Sequence, residues 1–145
     1  MEENRLLDVD RGRRRTFWAR KRGTMAKYML LLGGADLDKR GSNPELAPKM
    51  FQQFADWLGT MRERGQYLQS NKLQDRTGAR LTVRGGQVVE GPFMESKEAV
   101  GGAILIEAPS LEEAVSIARS CPTLSLQNGF VEVRVVEEVP RPERR

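Results

Sequence analysis

Two short, continuously apolar segments constrain the fold of this chain more than any other feature. They are residues 28–32 (YMLLL) and residues 103–106 (AILI). Because successive side chains of a strand point to opposite faces of a sheet, a strand that is apolar at every position is typically covered on both faces. We therefore predict that these segments form the two central strands of one sheet, with Gly33 and Gly34 ending the first.

Two other segments have helical periodicity. Between residues 48 and 64, apolar side chains recur at spacings of three and four, and Gly65 is a natural stop. The second helix is predicted to begin at Ser110, because its hydroxyl can accept a hydrogen bond from the Glu113 amide in a capping box, and to end near Cys121. We expect both apolar stripes to pack in the core. The first stripe comprises Met50, Phe51, Phe54, Trp57, Leu58 and Met61.

The order of the predicted elements matches an α+β fold of the ferredoxin-like type. A second strand starts near Tyr67 and a last strand covers residues 130–136, while Gly85 and Gly86 mark a two-residue β-hairpin around residues 80–90. Without this inserted hairpin the order is βαββαβ, in which the first and third framework strands are central. The two apolar segments occupy those two positions.

This arrangement leaves one face of the sheet uncovered, because both helices of a βαββαβ unit pack on the same side. The uncovered face would carry residues from 28–32 together with Ile104 or Leu105, depending on register. Exposed apolar patches of this kind usually mark an interface. We therefore predict a homodimer in which a second sheet covers this face, as in a dimeric α/β-barrel, although the hairpin could shield part of it.

Charge is concentrated at the ends of the chain. Residues 1–24 contain eight Lys/Arg and four Asp/Glu, whereas residues 25–139 contain 13 and 15. We divide the chain into a basic N-terminal extension (1–24), one domain (25–139) and a charged C-terminal tail (140–145). The near-neutral domain argues against nucleic-acid binding, except through the N-terminal arm.

Composition also excludes several chemistries. The chain has no histidine and one cysteine, Cys121, which rules out an internal disulfide, a Cys–His nucleophile and a Cys-cluster metal site. It has neither an apolar run long enough to span a membrane nor a secretory h-region, so we expect a cytoplasmic protein. We predict no metal, no cofactor and no catalytic residue.

Three carboxylates, Glu90, Glu95 and Glu98, flank Pro92. Two neighbouring carboxylates can have their pKa values pushed apart, so that one serves as an acid and the other as a base. Alternatively, they lie in an exposed turn where Lys97 neutralises them. The same stretch could also close over a pocket, since loops on a rigid scaffold commonly carry function.

Residues 90–98 (EGPFMESKE), with Gly-Gly at 101–102, resemble the DGPF-motif branch of the YCII-related family. The family pattern is Asp-Gly-Pro-Phe, a spacer and Glu-Thr/Ser-Lys-Glu, then Gly-Gly opening the next strand. Here Glu90 stands in place of the Asp, and Val135 stands where a Pro commonly follows the closing strand's Arg. The other segments that resemble the family, in order, are residues 27–31, 110–114, 121–122 and 129–134.

The resemblance implies a ferredoxin-like dimer whose biochemical activity is largely undefined. Related YCII proteins carry a His-Asp pair suspected of catalysis, which has no counterpart here because histidine is absent. DGPF-type proteins are often encoded beside extracytoplasmic-function sigma factors. That association implies a regulatory or accessory role, with a transcription-regulatory protein as a candidate partner.

We expect a small dimeric protein that binds a small anionic or polar ligand, or a regulatory protein, near the motif. Lys97 and Arg134 would meet an anionic group. Glu90 or Glu95 would orient it, while Phe93 either lines the pocket or seals the core. The alternative is a lyase- or isomerase-like enzyme that uses Glu90 or Glu95 as acid or base. A raised pKa of either carboxyl inside a cleft would favour the enzyme, and an exposed loop would favour the binding protein.

Overall fold

A computed structural model describes residues 25–34, 46–74, 77–91 and 99–143 of the chain. Residues 1–24 and 92–98 lie outside these ranges, so the domain boundaries remain a prediction. Within the ranges, neither helix has both the length and the hydropathy of a membrane span. In chain order the elements are β1 (Ala26–Gly34), α1 (Leu46–Glu63), β2 (Tyr67–Lys72), β3 (Leu81–Arg84), β4 (Gln87–Glu90), β5 (Val100–Ala108), α2 (Leu111–Arg119), a 3₁₀-helix (Pro122–Ser125) and β6 (Gly129–Val135).

The main sheet has four antiparallel strands in the order β2-β5-β1-β6. The two apolar segments therefore lie on the central pair, as predicted. β3 and β4 form a separate two-stranded sheet, the predicted hairpin. Its turn residues, Gly85 and Gly86, have φ of 56° and 78°, which glycine adopts without strain. This α+β architecture is compatible with a ferredoxin-like fold.

The core lies between the helices and one face of the main sheet. Leu30 and Ile106, on the central strands, have no exposed surface. Trp57 and Met61 reach the same cluster from α1, and two alanines of α2 complete it. Burying each large aliphatic side chain stabilises the fold by about 1.5–3 kcal/mol, so this layer dominates stability.

One member of the predicted stripe on α1 does not face the core. Met50 is buried, but Phe51 is 76% exposed. Adjacent helical residues are rotated by about 100° around the axis, so these two neighbours cannot both point at the sheet. The prediction for Phe51 was wrong. Phe54 and Trp57 do follow the stripe and meet edge to face, with ring centroids 6.1 Å apart.

The second helix begins at the predicted cap. Ser110 Oγ accepts a hydrogen bond from the Glu113 amide at 3.1 Å. At the other end of α2, Ser120 Oγ accepts a hydrogen bond from Trp57 Nε1 at 3.0 Å. This contact ties α1 to the end of α2, so both helices lie on the same side of the sheet.

Candidate functional site

The sheet face that points away from the helices is the surface on which a site can form. Leu30 lies in the core and pairs with Ile104 and Val133, which face the same side. The adjacent rows therefore point the other way. We call these residues the open face; they are Met29 with Leu105 and Arg134, Leu31 with Ala103 and Glu132, and Phe130 beside Gly33.

The centre of the open face is apolar. Met29, Leu31 and Leu105 are half-buried, since neighbouring side chains on the sheet shield one another. Residues of the same strands that face the helices are almost fully buried. The continuously apolar sequence therefore produces one face in the core and a second face that the described residues cover only in part.

A charged pair borders this apolar floor. Arg134 Nη1 donates a hydrogen bond to Glu132 Oε2 at 3.0 Å, and the two side chains are 66% and 52% exposed. Solvent screens such a pair, so it adds little to stability. A guanidinium carries five N–H donors, and this pairing leaves Arg134 with donors for a ligand anion.

An aromatic ring closes one end of the open face. Phe130 pairs with Gly33, and its ring occupies the space that a side chain at Gly33 would need. A Cβ at Gly33 would also collide with the carbonyl oxygen of Ala99, which accepts a hydrogen bond from the Gly34 amide at 3.1 Å. Because Gly33 has no side chain, the Phe130 ring and the Ala99 carbonyl oxygen can both lie close to its backbone.

Sequence reasoning overlooked Phe130, although the signal was present. Val131 and Val133 pack against the core. By alternation, Phe130 must share the opposite face with Glu132 and Arg134. An aromatic residue on the charged face of a strand indicates that part of this face is shielded from solvent.

Of the five predicted ligand-binding residues, the structure describes Glu90 and Arg134 and does not pair them with each other. Phe93, Glu95 and Lys97 lie outside the described residues. Glu90 is the exposed last residue of β4. Arg134 lies on the open face of β6, where its partner is a β6 carboxylate rather than Glu90.

After residues 92–98 the described structure resumes at Ala99, whose carbonyl oxygen lies at Gly33 as the Phe130 ring does. Arg134 lies four residues farther along β6, or about 13 Å at the rise of an extended strand. Ala99 and Arg134 therefore lie toward opposite ends of the open face. A ligand that touched both would have to extend along the apolar floor.

Nucleophilic and metal chemistry find little support in the described residues. Burial raises the pKa of the Cys121 thiol above its ordinary value of 9.0, and hydrogen bonds with Thr123 oppose that shift only in part. The thiol is therefore protonated at neutral pH and a poor nucleophile. Among the residues that the structure describes, no three His, Cys, Asp or Glu side chains converge as a metal site would require.

A shallow groove of about 540 Å³ lies on the helical side, between α1 and the end of α2. Two of its polar groups are already engaged within the chain. Asp56 accepts a hydrogen bond from Gln52 at 2.8 Å, and the Trp57 indole donates to Ser120. Because these groups already bind within the chain, the groove is a weaker candidate than the open face.

Family comparison gives a specific match. The sequence profile of the YCII-related domain matches residues 45–140, which include both helices and the hairpin. This chain belongs to the YCII-related domain family. The match confirms the family that the motif at residues 90–98 predicted. Membership of its DGPF branch remains a prediction, because the match identifies the YCII-related domain and not the branch.

Other comparisons add little to the description of this YCII-related protein. No curated protein sequence matches it significantly. Among solved structures, it is similar to the crystal structure of an unknown protein from Galdieria sulphuraria, with a TM-score of 0.34 and 12% sequence identity, over 81% of this chain and 48% of that chain. The YCII-related chain thus spans about half the length of that protein, and so weak a likeness carries no argument.

Proposed function

We propose that this YCII-related protein is a cytoplasmic homodimer that binds a small anionic or polar ligand over the open face and does not itself catalyse a reaction. The observation that supports the proposal is the make-up of that face. An apolar floor, which includes Met29 and Leu31, runs between Phe130 at one end and the exposed guanidinium of Arg134 at the other. Ligand sites are typically apolar, with a few polar groups that fix orientation.

The spacing of these groups defines the kind of ligand that fits. Arg134 can bind a carboxylate or phosphate, and a hydrogen bond to a charged group contributes about 1.5–3 kcal/mol. Phe130 lies about 13 Å farther along the strand and offers a ring for stacking. A small organic acid with an apolar or aromatic part would therefore match the open face better than a bare inorganic anion.

A homodimer supplies what a single open face lacks. Sites for small molecules are concave and bury most of the ligand surface, whereas one sheet face is nearly flat. A second open face opposite the first would create a cleft between two apolar floors. We therefore include in the proposal the ferredoxin-like topology and the facing-sheet, barrel-like dimer that the sequence predicts.

The acid–base alternative has less support among the described residues. Glu90 is exposed at the end of the hairpin, and it lies on a different element from the open-face strands. A general base must come within hydrogen-bond reach of the proton that it removes from a bound substrate. We therefore propose a binding protein in preference to a lyase or isomerase.

Calorimetric titration with a panel of small organic acids tests the proposal. Arg134→Ala should weaken binding of any acid that binds the wild type by at least about tenfold, since a charged hydrogen bond is lost. Glu132→Gln should strengthen it, because the carboxylate that competes for Arg134 is gone. Arg64→Ala, which removes an exposed arginine just beyond α1, is the matched control and should bind as the wild type does. Wild-type affinity in Arg134→Ala would overturn the proposed site.

A further inference from the structure

The edge strand β2 contains a β-bulge that decides which of its side chains reach the open face. Tyr67 pairs with Ile106. Gln69, two residues farther along β2, pairs with Leu105, so Leu68 is the extra residue of the bulge. In a strand without the bulge, alternation from Tyr67 would turn Leu68 towards the open face and Gln69 towards the helices. The bulge instead places Gln69 on the side of its partner Leu105, which is the open face.

The surroundings of the next residues agree with this register. Ser70 pairs with the core residue Ile104 and is half-buried. Its hydroxyl lies 2.7 Å from the hydroxyl of Tyr67, which packs against the core. Asn71 pairs with Ala103 of the open face and is exposed, as Gln69 is. Two amide side chains therefore border the apolar floor along β2.

A single row of paired residues joins one of these amides to Arg134. Gln69 pairs with Leu105 on β5. Leu105 pairs in turn with Met29 on β1, and Met29 with Arg134 on β6. Neighbouring strands lie about 4.8 Å apart, so the backbones at the two ends of the row are separated by about 14 Å. The row thus runs from a guanidinium, over two apolar side chains, to a neutral amide.

The amides on β2 recognise a different chemical group from the one that Arg134 recognises. An amide side chain offers both N–H donors and a carbonyl acceptor, so it pairs best with a neutral group that also donates and accepts. Glu107 and Lys27 border the row on the same face and pair with each other in register, so their opposite charges compensate. This pairing gives a second anion no advantage on the β2 side of the floor.

The position of the bulge accounts for this arrangement. A bulge in an edge strand discourages pairing with another chain, wherever along the strand it lies. At Leu68 it also exchanges the two faces for the rest of β2, which turns Gln69 and Asn71 towards the floor. Bulges beside active sites re-aim side chains in the same way.

We infer that Gln69 and Asn71 are ligand-binding residues that select an organic acid with a neutral hydrogen-bonding group, such as a carboxamide, at its far end. This inference rests on the proposed function, because Arg134 holds the carboxylate of the acid. It adds the orientation of the ligand, which crosses the strands from β6 to β2, and the chemistry of its second end.

Calorimetric titration with two matched acids tests the inference. Hexanoate has a carboxylate and an apolar chain, and adipic acid monoamide adds a carboxamide at the far end. The wild type should bind the monoamide about 3–10-fold more tightly, as expected for a neutral hydrogen bond. Gln69→Met with Asn71→Leu should abolish this preference and leave the affinity for hexanoate unchanged, since both substitutions keep the size of the side chain. Gln53→Met, at an exposed position of α1 on the helical side, is the matched control and should keep the preference.

Each result bears on the inference. Equal affinity of the wild type for the two acids would overturn it, and so would a preference that survives in the double variant. If binding of both acids still depends on Arg134, the proposed function stands without the amide contacts. A wild type that binds neither acid at millimolar concentration would also overturn the inference, whereas the wider panel of acids decides the proposed function. If the double variant fails to fold by circular dichroism, loss of the preference in Gln69→Met alone gives the same decision.

Discussion

The central strands and the hairpin both carry aliphatic side chains on one face, yet the surroundings of these side chains differ completely. Leu30 and Ile106 have no exposed surface, whereas Val83 and Val88 are 71% and 69% exposed. The difference arises from the element that follows each strand. β1 and β5 are each followed by a helix that folds back over the sheet, whereas β3 runs through a two-residue turn into β4. Alternation thus defines a face without determining whether the chain itself covers it.

The open face lies between these extremes. It belongs to the same strands as the core, but neither α1 nor α2 packs on it, and its central residues are half-buried. The comparison therefore separates three environments: a face that the described residues cover, a face that they cover in part, and a hairpin face (Leu81, Val83 and Val88) that they leave exposed.

The largest expected effect comes from truncating the covered face. Ile106→Ala should lower the free energy of unfolding by about 2–5 kcal/mol, because it removes buried contacts and leaves a cavity. Val83→Ala is the counterpart on the exposed face of the hairpin. At concentrations low enough to give monomer it should change stability by less than about 0.5 kcal/mol. Urea unfolding of both variants checks this, and losses of equal size in the monomer would contradict the contrast.

A second, smaller effect concerns the end of the open face. Gly33→Ala should destabilise by about 1–3 kcal/mol, because the added Cβ meets the Phe130 ring and the Ala99 carbonyl oxygen. Gly59→Ala, within α1, meets no atom within 4 Å and should stabilise by up to about 1 kcal/mol. Thermal melts of the two variants should shift in opposite directions; a shift in the same direction would show that the ring does not pack over Gly33.

Much of this architecture could be predicted because its signals are local. The cap at Ser110, the stop at Gly65 and the turn at 85–86 are each specified by neighbouring residues, and the motif at 90–98 predicts the family. The exposure of Phe51 and the location of Phe130 were missed for different reasons. The first required knowing which side of α1 meets the sheet, and the second required the register of β6 on β1.

The candidate site was less predictable than the fold. Its proposed residues were gathered from one contiguous motif and one distant arginine. Arg134 lies on the open face, but the strands place it four residues along β6 from Phe130, beside which the described chain resumes at Ala99, and only strand pairing reveals that separation. The exposure of Leu81, Val83 and Val88 on the hairpin was also unforeseen, because the sequence does not show what lies against either face of the hairpin.

The helix cap offers a test of a local signal. Ser110→Ala should cost about 1 kcal/mol of unfolding free energy, since the Glu113 amide loses its acceptor at the start of α2. Ser110→Asp should retain most of the stability. Ser125→Ala removes an exposed hydroxyl contact and serves as the control. Equal stability of the Ser110→Ala variant and the wild type would show that the cap does not hold α2 against the core.

The smallest effect is on the pH dependence of stability and comes from the buried thiol of Cys121. Burial raises the pKa of this thiol in the folded state above its ordinary value of 9.0, so the unfolded chain loses the proton first as pH rises. Stability should therefore fall as pH increases from 9.0 towards the folded-state value, and Cys121→Ala should lack this component. Unfolding curves of both proteins across that range provide the comparison; parallel pH dependences would mean that the thiol is not protected.

Hydrogen–deuterium exchange of the wild-type protein at two concentrations tests the central claim most directly. The claim is that a second copy covers the open face, while the core depends on the chain alone. We predict that amides of the edge strand β6 exchange more slowly at the concentration that gives dimer, and that amides of the β1–β5 core pair are strongly protected at both. Exchange of β6 that does not depend on concentration, in a protein shown to dimerise over that range, would contradict the account.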